Sequence, residues 1–124
     1  MQRRLITRAE MFPPLLLADP TFDDAWRAFR AESPVDDEER PYCQLLGELA
    51  RHLASRLQEG ETENFRAVFQ VIEEWHVYGD DYVRTAASVG LLEDLQNENL
   101  HDKTRPADFK EWLLPESRRW WGKQ

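Results

Sequence analysis

Glu73 and His76 form an E-x-x-H pair. This spacing sets a carboxylate and an imidazole on one helix face, as in half of a di-iron bundle site. Glu48 and His52 lie one helical turn apart on the preceding segment. A complete site of this kind takes two E-x-x-H copies and two further inward carboxylates, and the chain carries one copy. Glu48 and His52 fall on the polar side of their helix, where exposed ion pairs are ordinary. His76 falls on an apolar stripe, where a hydrogen-bonded core histidine is the commoner outcome. No metal and no cofactor are expected.

Cys43 follows Pro41 and Tyr42 at a helix start, a place that can lower a thiol pKa. The four acids Asp36, Asp37, Glu38 and Glu39 just upstream oppose a thiolate. A small, partly buried cysteine is therefore the expected role. The chain has no G-x-S-x-G, no phosphate-cradling glycine loop and no zinc quartet. Its three histidines, His52, His76 and His101, fit no acid/base motif. Catalytic residues are expected to be absent, and the protein is read as a non-enzyme.

Recognition is the alternative use for these side chains. The acidic run Asp36, Asp37, Glu38 and Glu39 is a candidate partner surface, as are Glu73, Glu74, Glu93 and Asp94. Asp80 and Asp81 read first as helix caps and dipole partners. Glu93 and Asp94 lie on the side of Tyr82, Val83 and Ala87. There, either the helix emerges into solvent or two acids line a groove. Trp112, Trp120 and Trp121 are flanked by Arg118, Arg119 and Lys123, a combination common at interface hot spots. Trp120 and Trp121 are the candidate contacts, and adjacent positions on a helix cannot face the same way.

Helices must position all of these groups. Thr7 and Glu10 read as a capping box ahead of Met11, Phe12 and Leu15 to Leu17. Pro13 and Pro14 are expected to kink or split that element. Asp19-Pro20 opens a second helix carrying Phe22, Ala25, Trp26 and Phe29 to about Glu32. Residues 33–41 read as a charged, proline-bounded loop. The third helix runs from about Tyr42 to Glu59, stopped by Gly60, with Tyr42, Leu46, Leu49, Leu53 and Leu57 on one stripe. Thr62 can cap a fourth helix to about Tyr78, burying Phe65, Val68, Phe69, Ile72 and Trp75.

A fifth helix starts at Asp80 or Asp81 and reaches about Asn97. Its apolar face changes sides along its length. Val83, Ala86, Ala87 and Gly90 lie on one side, and Leu91, Leu92 and Leu95 on another, so it should be the most buried helix. Gly90 sits at the switch, where a neighbour could approach closely. Pro106 and Pro115 open two short helices near the C-terminus. The expected fold is all-α, a compact bundle of about five to seven helices in one domain, 1–124.

Composition bounds the function. The 124 residues suit one domain. With 24 acidic against 16 basic side chains, the net charge is −8, which disfavours nucleic acid. Residues 32–97 hold five basic and fifteen acidic side chains, so the negative field belongs to the middle of the chain. No apolar run is long enough to span a bilayer and no signal peptide is read. One cysteine fits a reducing compartment, so a soluble cytoplasmic protein is expected.

The turn G-D-D-Y-V-R-T-A-A, Gly79 to Ala87, resembles the inter-helix segment of a HEAT-type repeat. The stretch V-G-L-L-E-D-L-Q-N, Val89 to Asn97, together with the charged W-W tail, is similar to a group of small acidic bacterial proteins of unknown function. That resemblance implies a bacterial origin and a helical fold. By analogy of size and charge, immunity proteins that neutralise basic toxins are the leading functional class. The expected partner is a basic protein, bound through the acidic middle. A structural or adaptor domain using the aromatic C-terminal tail, with Trp120 and Trp121, as an interface is the alternative.

Overall fold

Caps and prolines set the helix boundaries. The protein is described from a computed structural model, which covers residues 5–32, 42–97 and 104–121. Thr7 offers its backbone N–H and its hydroxyl to Glu10 Oε1, at 3.2 and 2.7 Å, and so closes a 3₁₀ turn at Arg8–Glu10. Helix α1, Phe12–Ala18, follows at once. Pro13 and Pro14 occupy its first turn, where a missing N–H leaves no hydrogen bond unmade. The expected split is present, because the element divides at Met11 into the 3₁₀ turn and the short α1, and the prolines start α1 rather than interrupt its interior.

Asp19 ends α1 and caps the 3₁₀ turn Pro20–Phe22 by accepting from the Thr21 N–H at 3.1 Å. That turn runs into α2, Asp23–Glu32. Helix α3, Tyr42–Glu59, ends at Gly60, whose φ of 74° lies in the left-handed region that favours glycine. Helix α4, Phe65–Tyr78, begins after Asn64, slightly beyond the expected Thr62. Asp80 caps α5, Asp81–Thr85, by accepting from the Val83 N–H at 2.9 Å.

The fifth helix departs from simple α geometry. After α5 it runs as a π-helical segment, Ala86–Leu92, and ends as α6, Glu93–Leu95. A π turn holds more residues than an α turn and so rotates the side chains that follow it. Val83, Ala87, Leu91, Leu92 and Leu95 consequently all reach the core. At a uniform α repeat these residues separate onto two faces. The wider turns remove the conflict. A 3₁₀ helix, Pro106–Trp112, and α7, Pro115–Trp120, complete the described elements.

Packing follows the apolar stripes. Helix α3 buries Leu45, Leu46, Leu49, Ala50, Leu53 and Ala54, while α4 buries Phe65, Val68, Phe69, Ile72 and Trp75. The π segment lies between α3 on one side and α4 and α7 on the other. Phe12 packs on Trp26 and Trp75, whose indole N–H donates to the Met11 carbonyl at 3.1 Å. A second aromatic group, Phe65, Phe69, Phe109 and Trp112, ties the C-terminal segment to α4. Each such side chain contributes about 1.5–3 kcal/mol when fully buried. The chain start is clipped on by backbone bonds, Ile6 N–H to the Tyr78 carbonyl at 2.8 Å and Asp80 N–H to the Ile6 carbonyl at 3.0 Å. Among the described residues the fold is all-α, with seven α-helices and no strand beyond the isolated Ile6–Gly79 bridge.

Candidate functional site

The π segment opens a groove on its outer side. Tyr82, Ala86, Val89 and Gly90 of the fifth helix and Leu46 of α3 form its apolar part, and Glu93 and Asp94 stand at one end. The cavity is about 350 Å³. Gly90 sets its depth, because a Cβ there would lie 2.9 Å from Leu46 Cδ1, too close for the buried leucine to stay in place. Arg8 lies over the Tyr82 ring, 4.5 Å from its centroid, and steadies that wall.

The two acids differ in surroundings. Glu93 is exposed, while Asp94 is half-buried against α3, where a Cβ on Gly47 would stand 3.7 Å from its Oδ2. Burial pushes the Asp94 carboxyl above the usual aspartate range, and the neighbouring Glu93 charge adds to the rise. Arg51 opposes it from α3, but that guanidinium is already hydrogen-bonded to Glu48 at 2.8 Å. Two carboxylates beside an apolar floor, without a cation bonded to either among the described residues, form a seat for a positive group. The expected pairing with Tyr82 holds. Val83 and Ala87, expected on the same side, lie beneath in the core.

The other named residues are dispersed. Glu73 reaches from α4 to the start of α7, accepting from the Glu116 and Ser117 N–H groups at 2.9 Å each and from the Ser117 hydroxyl at 3.0 Å. It caps that helix rather than joining Glu93 and Asp94. Glu74 is half-buried on α4 and outside the groove. Trp121 packs partly buried against the core, whereas Trp120 is 41% exposed, its N–H donating to Glu116 Oε1 at 3.2 Å. Asp36, Asp37, Glu38 and Glu39 lie outside the described residues, as does His101.

Glu48, His52, Glu73 and His76 do not converge. His52 Nε2 bonds to Asp19 Oδ2 at 3.0 Å, and Glu48 to Arg51. His76 Nδ1 lies 2.9 Å from the Ile72 carbonyl, which can only accept, so Nδ1 carries the proton. Among the described residues no group of three or more histidine, cysteine, aspartate or glutamate side chains could hold one metal ion. Ser117 Oγ is 3.3 Å from His76 Nδ1, but its own proton goes to Glu73 and the serine is fully buried. The trio therefore lacks an activated, accessible nucleophile.

Sequence reasoning missed Ser117, Arg84 and the Asp19–His52 pair. Ser117 meets Glu73, and Asp19 meets His52, across too much chain for any spacing rule to link them, whereas Arg84 bonds the nearby Gly79 carbonyl. The π segment had one signal, the apolar face that changes sides at Gly90.

Fold and groove together define a small all-helical domain with an acidic recess beside an irregular helix. The chain belongs to the family described as Domain of unknown function (DUF7674), whose family model matches residues 12–124. No curated protein and no solved structure matches it. No helix among the described residues is long and apolar enough to cross a membrane.

Proposed function

We propose that this domain is a non-enzymatic protein-binding module that seats a basic side chain of its partner in the Glu93–Asp94 groove. One observation carries the reading. Asp94 is held half-buried beside a second carboxylate, with its ionised form disfavoured by burial and by Glu93. A lysine or arginine entering the groove relieves that repulsion, and its aliphatic stem covers Val89 and Leu46. The role we infer is that of an immunity-type inhibitor, acting inside the cell and occluding a basic toxin. The net charge of −8 supports it by steering a positive partner toward the acidic middle. The HEAT-like character of the α4–α5 hairpin belongs to the same proposal, supported by the Asp80 cap and the buried Ala87.

The test is titration with a short peptide alternating lysine and leucine, beside its glutamine-for-lysine analogue. The lysine peptide should bind at least about tenfold more tightly, and Glu93→Gln with Asp94→Asn should remove the difference. Equal binding of both peptides, or an unaffected double variant, overturns the groove. Capture from a bacterial lysate with low- and high-salt washes then tests the inhibitor role. A salt-released basic enzyme that this domain inhibits is the expected result.

Exposure of Trp120 favours a second reading, an adaptor that docks through the C-terminal aromatic surface. A partner retained at high salt and lost on Trp120→Ala would support it.

A further inference from the structure

The Glu93–Asp94 groove has a length and a grading. Tyr82, Ala86, Val89, Gly90, Glu93 and Asp94 recur at steps of three and four along the fifth helix, so they form one stripe that follows its axis. At about 1.5 Å per residue, the stripe from Tyr82 to Glu93 is roughly 16 Å long. Helix α3 forms the opposite bank. A Cβ on Gly90 would stand 2.9 Å from Leu46 Cδ1, and one on Gly47 would stand 3.7 Å from Asp94 Oδ2, so the two helices lie side by side along the groove. Leu46 is buried and closes the bottom, whereas Val89 is 53% exposed on the rim. The stripe carries no charge from Tyr82 to Gly90 and is doubly acidic at Glu93 and Asp94.

These banks decide the backbone form of an occupant. An extended peptide gains affinity by bonding its main chain to an open sheet edge, and both banks here are helices. Laid along them in extended form, a peptide would press N–H and C=O groups against the side chains of Tyr82, Ala86 and Val89. Each such group costs about 1–3 kcal/mol when buried without a partner. A helix bonds its own main chain and presents side chains alone. It also repeats at the steps of the stripe, so its apolar side chains fit between those of the fifth helix. The small residues Ala86, Gly90 and Gly47 let it approach closely. Glu93 and Asp94 set the sign of its charge, in a stretch where acids outnumber bases by fifteen to five over residues 32–97. A second copy of this chain, itself at −8, offers the wrong sign.

We propose that the occupant of this groove is a basic amphipathic helix of the partner, laid along the fifth helix. Two of its apolar side chains, one turn apart, cover Ala86, Val89 and Gly90, and a lysine or arginine one turn further stands beside Glu93 and Asp94. The inference rests on the reading of Glu93 and Asp94 as the seat of a basic group, and adds to it the partner's secondary structure and the spacing of its contacts.

The experiment titrates the full chain with two peptides of identical leucine and lysine content. One alternates the two residues, and the other places leucine at steps of three and four. The helical order should bind at least about tenfold more tightly and gain far-ultraviolet circular dichroism at 222 nm on binding. Proline in place of one lysine on its polar face should remove both effects, because it breaks the helix and keeps the leucines. Val89→Gln changes an exposed side chain and should leave the thermal melt in place while weakening the helical peptide by about fivefold or more. Equal binding of the two orders, binding without a gain of helix, or a proline peptide that binds as well would overturn the helical occupant and leave the basic seat standing if lysine still outperforms glutamine. Helical-order binding that is indifferent to glutamine-for-lysine exchange would do the reverse, keeping the helix and overturning the seat. No binding of either peptide overturns both.

Discussion

Asp19 and His52 are joined across the fold, Oδ2 to Nε2 at 3.0 Å, with Asp19 only 2% exposed. The carboxylate is saturated from three elements. The Thr21 N–H and hydroxyl both donate to Oδ1, and Asn64 Nδ2 donates to it at 3.2 Å from the start of α4. Asp19 thus ties the α1–α2 corner to α3 and to α4. Burial alone would raise its pKa, but the bonds from Thr21, His52 and Asn64 and the attraction of His52 outweigh it, and the pKa is lowered.

The sign of the pH dependence follows. A carboxyl with a lowered folded-state pKa stabilises the fold above its unfolded value of 3.8, and the contribution disappears as pH falls through the folded value. Asp19→Ala strands four donors on three residues around a buried carboxylate site and should cost about 2–4 kcal/mol at neutral pH. Urea denaturation at pH 7 and at stepped acid pH checks this. The variant's deficit should shrink below the carboxylate range, and a deficit that is constant with pH would contradict the account.

Asp94 should behave in the opposite sense. Its raised pKa means that folding disfavours the carboxylate, so its ionisation weakens the fold as pH rises through the folded value. Asp94→Asn should therefore raise stability at pH 7, by under about 1 kcal/mol once solvent screening of a partly exposed group is allowed for. The same variant should weaken binding of the lysine peptide. Wild-type affinity for that peptide should also fall as the solution is acidified through the Asp94 titration. Thermal melts and titrations on one preparation would show the two effects together.

The helices were legible because each stripe is written within one element. Leu46, Leu49 and Leu53 recur at helical spacing on α3, and Phe65, Val68, Phe69, Ile72 and Trp75 do so on α4, and all are buried. The caps Asp19, of the turn before α2, and Asp80, of α5, are equally local. Pro13 and Pro14 marked the break after Glu10 but not its exact place, because proline in a first turn and proline in a helix interior read alike when the start is unknown. In a fixed 100° repeat the π segment left only the change of apolar face at Gly90, because such a repeat records side-chain angles and not a change in backbone hydrogen bonding. Glu73 and Ser117 meet across 44 positions, and Asp19 and His52 across 33. Such pairs depend on how helices dock, and no pattern within one helix encodes that. The groove was half legible, since Glu93, Asp94 and Tyr82 were placed together while its α3 wall, Leu46, belongs to another stripe.

Glu73 should prove to be a structural clamp for the C-terminal segment. It accepts three hydrogen bonds at the start of α7, and Pro115 in that first turn brings no N–H of its own. Glu73→Ala removes the cap and should cost about 1–2 kcal/mol. The loss should be local at first, with α7 detaching before the core opens. Limited proteolysis should then cut near residues 114–121 faster than in the wild type, together with a red shift of tryptophan emission. An intact tail in a destabilised variant would instead place the role of Glu73 within α4.

The last prediction concerns how the groove is kept open. Gly90 lets the π segment lie against Leu46, and a Cβ would already come within 2.9 Å of that buried side chain. Gly90→Val adds two methyl groups beyond that point, so either Leu46 leaves its position or the helix moves away from α3. The cost should be about 1–3 kcal/mol, the usual range for overpacking a core. The apolar floor should fill at the same time, lowering affinity for the lysine peptide at least as much as Glu93→Gln does. Leu46→Ala in the Gly90→Val background makes room for the added carbon atoms and should recover part of the lost stability. A double-mutant cycle measures that coupling directly, and strict additivity of the two substitutions would mean that they do not meet in the folded protein.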